Sequence, residues 1–453
     1  MGEETAAPAR TEAGGMVGSE AVALLQELIR MDTVNPPGNE EHAQLLLAET
    51  LTEAGFECEL LAAEPRRPNL VARLRGDAAG PTLCLLGHAD TVPADPSEWS
   101  FDPWAGDIVD GEVRGRGAQD MKDQVAAEVA AAAALGRDGW RPREGDLLVV
   151  TTADEETGAA AGAQWLCREH PEKVRSDYVL NEGGGICFEL DGRRFYTLCV
   201  GEKGPCRFWM RARGVAGHAS LPGMGDNALL KLAPALQRLR EQPSLQPTPE
   251  GVAFVAALTG REIDVHEPGA LEAAVERLRE TAPEITAYLA EPMLRVTLVP
   301  TEASASLKEN VIPSRAQILV DCRVPPGMGG TEALEHAQAV LGEAAEGLEL
   351  EFTDTVVGNR SSADSPLATA IEEWLAEADP PATLVPIVMA GFSDSHWFRE
   401  AFDSAVVYGF CPQREMMLPE AVPLIHGADE RAAVADIDLA ARFYLEIVRA
   451  VLG

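Results

Sequence analysis

Basic side chains are scarce in this chain. Lysine and arginine number 37 against 73 aspartates and glutamates, a formal charge of −36 at neutral pH. A surface of that sign repels phosphate backbones and anionic lipid, so the expectation is no nucleic acid and no membrane as partner. The charge itself reads as a solubility device. Long apolar runs are also missing: no window holds about 18 consecutive apolar residues, and the N-terminus lacks a basic-then-apolar signal pattern. Paired cysteines are a third absence. Cys58, Cys84, Cys167, Cys187, Cys199, Cys206, Cys322 and Cys411 are scattered, with no Cys-x-x-Cys, and several lie in apolar strand-like runs. They read as small buried hydrophobes in a reducing compartment, and the expected location is cytoplasmic.

The apolar fraction of 46% is that of a globular protein, and 453 residues suggest two or three units at about 150 residues each. Residues 1–18, rich in Gly, Ala and Glu, read as a loose tail. Ser19 is then placed to cap a helix whose apolar positions Val22, Leu25 and Ile29 end before Asn35-Pro36-Pro37-Gly38. A helix from Glu40 to about Ala54 follows. Asn69–Arg75, Pro81–Leu86, Asp146–Thr151 and Tyr178–Leu180 are strand-like, and an alanine-rich helix runs from after Asp120 to about Leu135. This alternation predicts an α/β fold with a doubly wound, mixed but mostly parallel sheet. From Glu189 the pattern changes: Asp191-Gly192 marks a hairpin, and Cys206–Arg213 alternates like an antiparallel strand. Residues 201–358 are expected to form an inserted α+β domain, with 241–292 an embellishment of it, and the first domain resumes over 359–453.

Several strands deliver chemistry at their C-terminal ends, where open α/β sheets bind ligands. His88 and Asp90 follow one strand. Asp120 follows a Gly115-Arg116-Gly117 turn, Glu155 and Glu156 follow another strand, and Glu182 a third. With the isolated His426 they form a nitrogen and oxygen inventory for two divalent cations, including a carboxylate able to bridge them. A single strand-end carboxylate is ordinarily a cap or a solvated charge. Their recurrence at successive sheet ends argues otherwise.

Four motifs stand in one order: Gly87-His88-Ala89-Asp90-Thr91-Val92-Pro93; Gly115-Arg116-Gly117-Ala118 with Asp120-Met121-Lys122; Thr152-Ala153-Asp154-Glu155-Glu156-Thr157-Gly158; and Asn181-Glu182-Gly183-Gly184. The sequence thereby resembles the M20 metallopeptidases, which include desuccinylases, deacetylases, aminoacylases and glutamate carboxypeptidases. The resemblance extends from about Ser19 to the C-terminus. It implies a discontinuous zinc catalytic domain, 19–200 and 359–453, and an inserted lid and dimerisation domain. It further implies two zinc ions, replaceable by Co²⁺ or Mn²⁺, bridged by Asp120. His88 and Glu182 would hold one ion, and Glu156 and His426 the other. Glu155 would be the general acid/base toward a metal-bridging water, and Asp90 would orient His88. Two divalent cations and three ligand carboxylates leave about one positive charge to lower the pKa of that water.

The resemblance also implies that His218, in Gly217-His218-Ala219-Ser220, reaches the partner subunit's site as an oxyanion stabiliser. Asn310, Arg323 and Gly391 would line the substrate site. For Arg323 the plain alternative is a salt bridge to Asp321. Two departures stand out: Phe392 replaces a usual small or hydroxylic residue in Gly391-Phe392-Ser393-Asp394, and Lys122-Asp123 replaces a common Lys-Gly. Asp123 then adds a charge near the entrance, or nothing. The implied activity is cleavage of an amide or peptide bond beside a free carboxylate, on a small-molecule substrate, by a homodimer. The alternative is a non-catalytic metal-binding or regulatory member. Such a protein would be expected to have lost a ligand or the base, and none is missing here.

Overall fold

The computed structural model describes residues 8–306 and 308–453. The chain divides into two compact units: 1–200 with 361–386 and 393–453, and 201–360 with 387–392.

In the first unit, parallel pairing of Thr82–His88 with Asp146–Thr152 sets His88 beside Thr152. Tyr178–Asn181 pairs in parallel with Thr82–His88 and with Val406–Gly409, and these four strands are the centre of the sheet. Parallel neighbours end on the same edge, which is why His88, the turn after Thr152 and Glu182 meet. The flanks are antiparallel: Pro68–Arg75 pairs with Asp146–Thr152 and with the outer strand Glu57–Ala62, whose mostly exposed residues give it no apolar signature in the sequence.

The alanine-rich helix, Lys122–Arg137, is buried from Lys122 to Gly136. It packs between helices Pro8–Ile29 and Val434–Leu452 and against the sheet. Its approach is close enough that a Cβ on Gly87 would lie 2.7 Å from the Val125 side chain. Small side chains are what such a central helix requires.

One expectation fails here. Residues 8–18, read as part of a loose tail, are the first turns of helix Pro8–Ile29, while 1–7 lie outside the described residues. Val17 is buried, and Gly18 faces Asp438 so closely that a Cβ there would collide with it. Ser19 caps nothing; its hydroxyl donates to the Gly15 carbonyl one turn back at 3.0 Å. The helix is long because it has two helices to pack on, which composition does not reveal.

The second unit has a five-stranded antiparallel sheet. Arg315–Val324 alternates strictly in burial and is flanked by Phe208–Arg213 and Thr297–Ser304. Helices Ala228–Arg238 and Gly330–Leu341 join its inner face in a core around Phe208, Met210, Leu232, Ile318 and Ala333. Residues 387–392, contiguous in the sequence with the first unit, belong to this one. Lys203 N donates to the Met389 carbonyl at 3.0 Å, and Val388 N to Met293 Sδ at 3.1 Å.

Candidate metal centre

Two donor sets share one carboxylate. His88, Asp120 and Glu182 form the first; Asp120, Glu156 and His426 form the second. His88 Nε2 is 3.1 Å from Asp120 Oδ1 and 3.9 Å from Glu182 Oε1. His426 Nε2 is 3.0 Å from Asp120 Oδ2 and 3.2 Å from Glu156 Oε2. Asp120 thus presents one oxygen to each histidine. All five residues singled out from the sequence converge, although His426 lies 306 positions beyond Asp120 in the sequence.

The electrostatics of this cluster call for positive charge. Burial pushes the Glu155, Glu156 and Glu182 carboxyls above the ordinary carboxylate range, and repulsion from neighbouring carboxylates adds to it, Asp120 acting on Glu156 and Glu182 and Glu182 on Glu155. Burial is the largest single influence on His88 and works against its charged form, but hydrogen bonding to Asp120 and Asp90 together with the charges of Glu155 and Glu182 outweighs it and holds the imidazole well above its usual value. The hydrogen bonds to Asp120 and then Glu156 lift His426 to about 10. Glu156 Oε1 is buried with no hydrogen-bond partner.

The supporting residues are less legible from sequence. His88 Nδ1 is 3.0 Å from the Asp90 backbone carbonyl and 3.5 Å from Asp90 Oδ1, so the main chain makes the closer contact. The Asp90 carboxylate accepts the backbone N–H of Glu155 and of Glu156, each at 3.2 Å. Asp154, before the pair, has φ 68°, a left-handed conformation that its hydrogen bonds sustain. His426 is likewise left-handed at φ 60°.

Glu430 was not singled out. It is fully buried, pairs with Arg116 at 2.5 Å, and accepts the N–H of Gly117, Gln119 and Asp120 at 3.1, 2.7 and 3.1 Å. Arg116 Nη2 also donates to the His426 carbonyl at 3.3 Å, joining the two loops that carry Asp120 and His426. In sequence Glu430 is one more acidic residue among many. Asp394 is buried too, and Thr152 Oγ1 donates to it at 2.5 Å.

The remaining predicted residues lie in the second unit. His218 pairs with Val311 in a short two-stranded ribbon, and Ala219 N donates to the Asn310 carbonyl at 3.0 Å, so His218 and Asn310 are neighbours. Ser220 N donates to His218 Nδ1 at 3.3 Å. That nitrogen must carry a lone pair, which leaves the ring proton of neutral His218 on Nε2. Arg323 is engaged by Asp321, Nε at 2.8 Å and Nη2 at 3.3 Å, as the plain alternative has it. Gly391 lies in the 387–392 segment.

The profile of "Peptidase family M20/M25/M40" matches residues 84–450. The chain belongs to this family. A succinyl-diaminopimelate desuccinylase of Cereibacter sphaeroides is 28% identical over 437 residues, 95% of this chain and 98% of that one. In fold, human carnosine dipeptidase 1 matches with a TM-score of 0.71 at 16% identity, over 97% of this chain and 99% of that chain. The M20 family metallo-carboxypeptidase Sso-CP2 of Sulfolobus solfataricus matches with 0.70 at 18%, over 95% and 99%.

As an M20 protein the molecule is a metal-dependent hydrolase. Its residues fit a metal: the donors are imidazole and carboxylate, one ligand oxygen is buried and unpartnered, and the carboxylates exceed the imidazoles. No helix among the described residues is long and apolar enough to cross a membrane.

Proposed function

We propose that the protein is a di-zinc hydrolase of an amide or peptide bond beside a free carboxylate, of N-acyl-amino-acid deacylase or dipeptidase type. The observation that carries this is the pair of donor sets sharing Asp120, with Glu155 adjacent to a member of one set. His88 and Glu182 would hold one ion, Glu156 and His426 the other, and Asp120 both. When bound, the ions supply Lewis-acid polarisation and acidify water at neutral pH. The Glu155 carboxylate takes a proton from the attacking water and delivers it to the leaving nitrogen as the C–N bond breaks. Its backbone N–H on Asp90 fixes where that carboxylate starts. The name of the desuccinylase relative favours the deacylase type, and that of the dipeptidase neighbour the alternative.

The first unit is then the catalytic domain and the second a lid and dimerisation domain. Support for a homodimer through the second unit comes from its exposed apolar side chains, Leu221, Met224, Leu229 and Leu230, which are 48–72% exposed. His218, with Nε2–H available as a donor, would polarise the scissile carbonyl of the partner subunit's substrate. Asn310 and Gly391 would contact the substrate beside it. Arg323 would do so only by releasing Asp321. A cytoplasmic location accords with eight free cysteines.

The test is Glu155→Gln in zinc-loaded protein, assayed on N-acetyl, N-succinyl and dipeptide substrates with and without chelator. A loss of about 10²- to 10⁴-fold in kcat with two zinc equivalents retained is expected. Full turnover by the variant, or a wild type that binds no metal, would refute the mechanism.

A further inference from the structure

The loop after the N-terminal helix carries Asn35-Pro36-Pro37-Gly38, which reads in sequence as nothing more than a helix terminator. In the fold Asn35 is 3% exposed, and its Nδ2 faces three acceptors: Asp90 Oδ2 at 2.8 Å, Asp154 Oδ1 at 3.2 Å and Thr157 Oγ1 at 3.1 Å. All three belong to the support of Glu155 and Glu156. Asp90 receives the N–H of both glutamates, Asp154 immediately precedes them in its left-handed conformation, and Thr157 immediately follows. The same loop contributes a second brace. Glu40, fully buried, pairs with Arg67 at 2.8 Å, and Arg67 Nη1 reaches Asp154 Oδ1 at 2.9 Å.

The carboxylates of Asp90 and Asp154 both approach the one amide nitrogen. Without a donor between them they would repel, and the turn would relax. We propose that Asn35 is a positioning residue, a donor clamp that locks the Asp154–Thr157 turn so that Glu155 is aimed and Glu156 is held toward His426. It acts through Asp90 and Asp154, the two carboxylates to which its amide donates. The proposal rests on the reading of Glu155 as the proton carrier. A displacement of about 1 Å at such a group costs on the order of 10²-fold in rate.

The chemistry of the clamp separates it from mere packing. Asn35→Asp keeps the shape but turns the donor into an acceptor, whereas Asn35→Ala loses shape and donor together. A packing role favours the Asp variant; a donor role makes it the worse of the two. In zinc-loaded protein, Asn35→Ala should lower kcat about 10- to 100-fold with KM within about threefold. Asn35→Asp should fall below Asn35→Ala at pH 7.

A second readout is zinc itself. Titration against a competing chelator should show one of the two equivalents weakened by about tenfold or more, because Glu156 has lost its anchor, and the other unchanged. Thr157→Val, at an exposed rim position, covers the case in which the Asn35 variants do not fold; it should lose about threefold to tenfold in kcat. The proposal is overturned if Asn35→Asp exceeds Asn35→Ala in kcat, if zinc titration matches wild type in both, or if Thr157→Val has wild-type kcat. Glu155→Gln is assayed in parallel. Should it retain turnover, the proton-carrier reading fails, while the zinc titration still judges the clamp.

Discussion

Glu430 shows how much one buried carboxylate can organise. Three backbone N–H groups and the Arg116 guanidinium converge on it, and through them the loops of Asp120 and His426 keep one geometry. Glu430→Gln would leave Arg116 as a buried charge without its counterion. A cost of about 3–5 kcal/mol is expected, read as a lower urea midpoint, together with weaker metal retention. At this scale the candidate ligands were legible because imidazoles and carboxylates recur at strand ends. Glu430 and Asn35 were not, because an acidic residue in an acidic chain and an Asn before Pro are ordinary until the partners are known. Arg323 is the converse case: its guanidinium is committed to Asp321, a neighbour two positions away that the sequence also offered.

Among the elements, the alanine-rich helix is both the most legible and the most constrained. Its extent follows from composition, but Asp123 does not. Rather than adding charge near an entrance, Asp123 is only 6% exposed, and burial pushes its carboxyl up to about 8. The sign follows from linkage. An aspartate that keeps its proton to about pH 8 when folded, but releases it near pH 4 when unfolded, destabilises the fold progressively as pH rises between those values. Asp123→Asn should therefore be neutral near pH 4 and stabilising by about 1–3 kcal/mol at pH 8.5, measured as the difference between urea midpoints at the two pH values. The N-terminal helix and the outer strand Glu57–Ala62 were illegible for a common reason. One begins in small residues and the other is largely exposed, so neither shows the apolar periodicity that marks an element before its packing partner is known.

For the whole molecule, the charge of −36 and the carboxylate-rich centre act in the same direction. Both make the folded state hold negative groups together, and bound divalent cations relieve the densest part of that repulsion. Chelation should lower stability by RT ln(1 + [M]/Kd), about 4 kcal/mol for metal at a thousand times its dissociation constant. Calorimetry with zinc and with EDTA measures the difference, and equal melting curves would mean that no metal stabilises the fold.

The sequence by itself determined the classes of element and the chemistry at their ends. Apolar runs and helical spacing are local properties, and motif residues carry their chemistry wherever they are placed. Tertiary structure decided the rest. Parallel register put His88 beside Thr152, and chain return put His426 against Asp120 and Glu430 beneath it. Contact with Asp90, Asp154 and Thr157 turned Asn35 from a helix stop into a clamp. Such roles belong to pairs of residues far apart in the chain, and a pair has no energy until the fold closes the distance between its members.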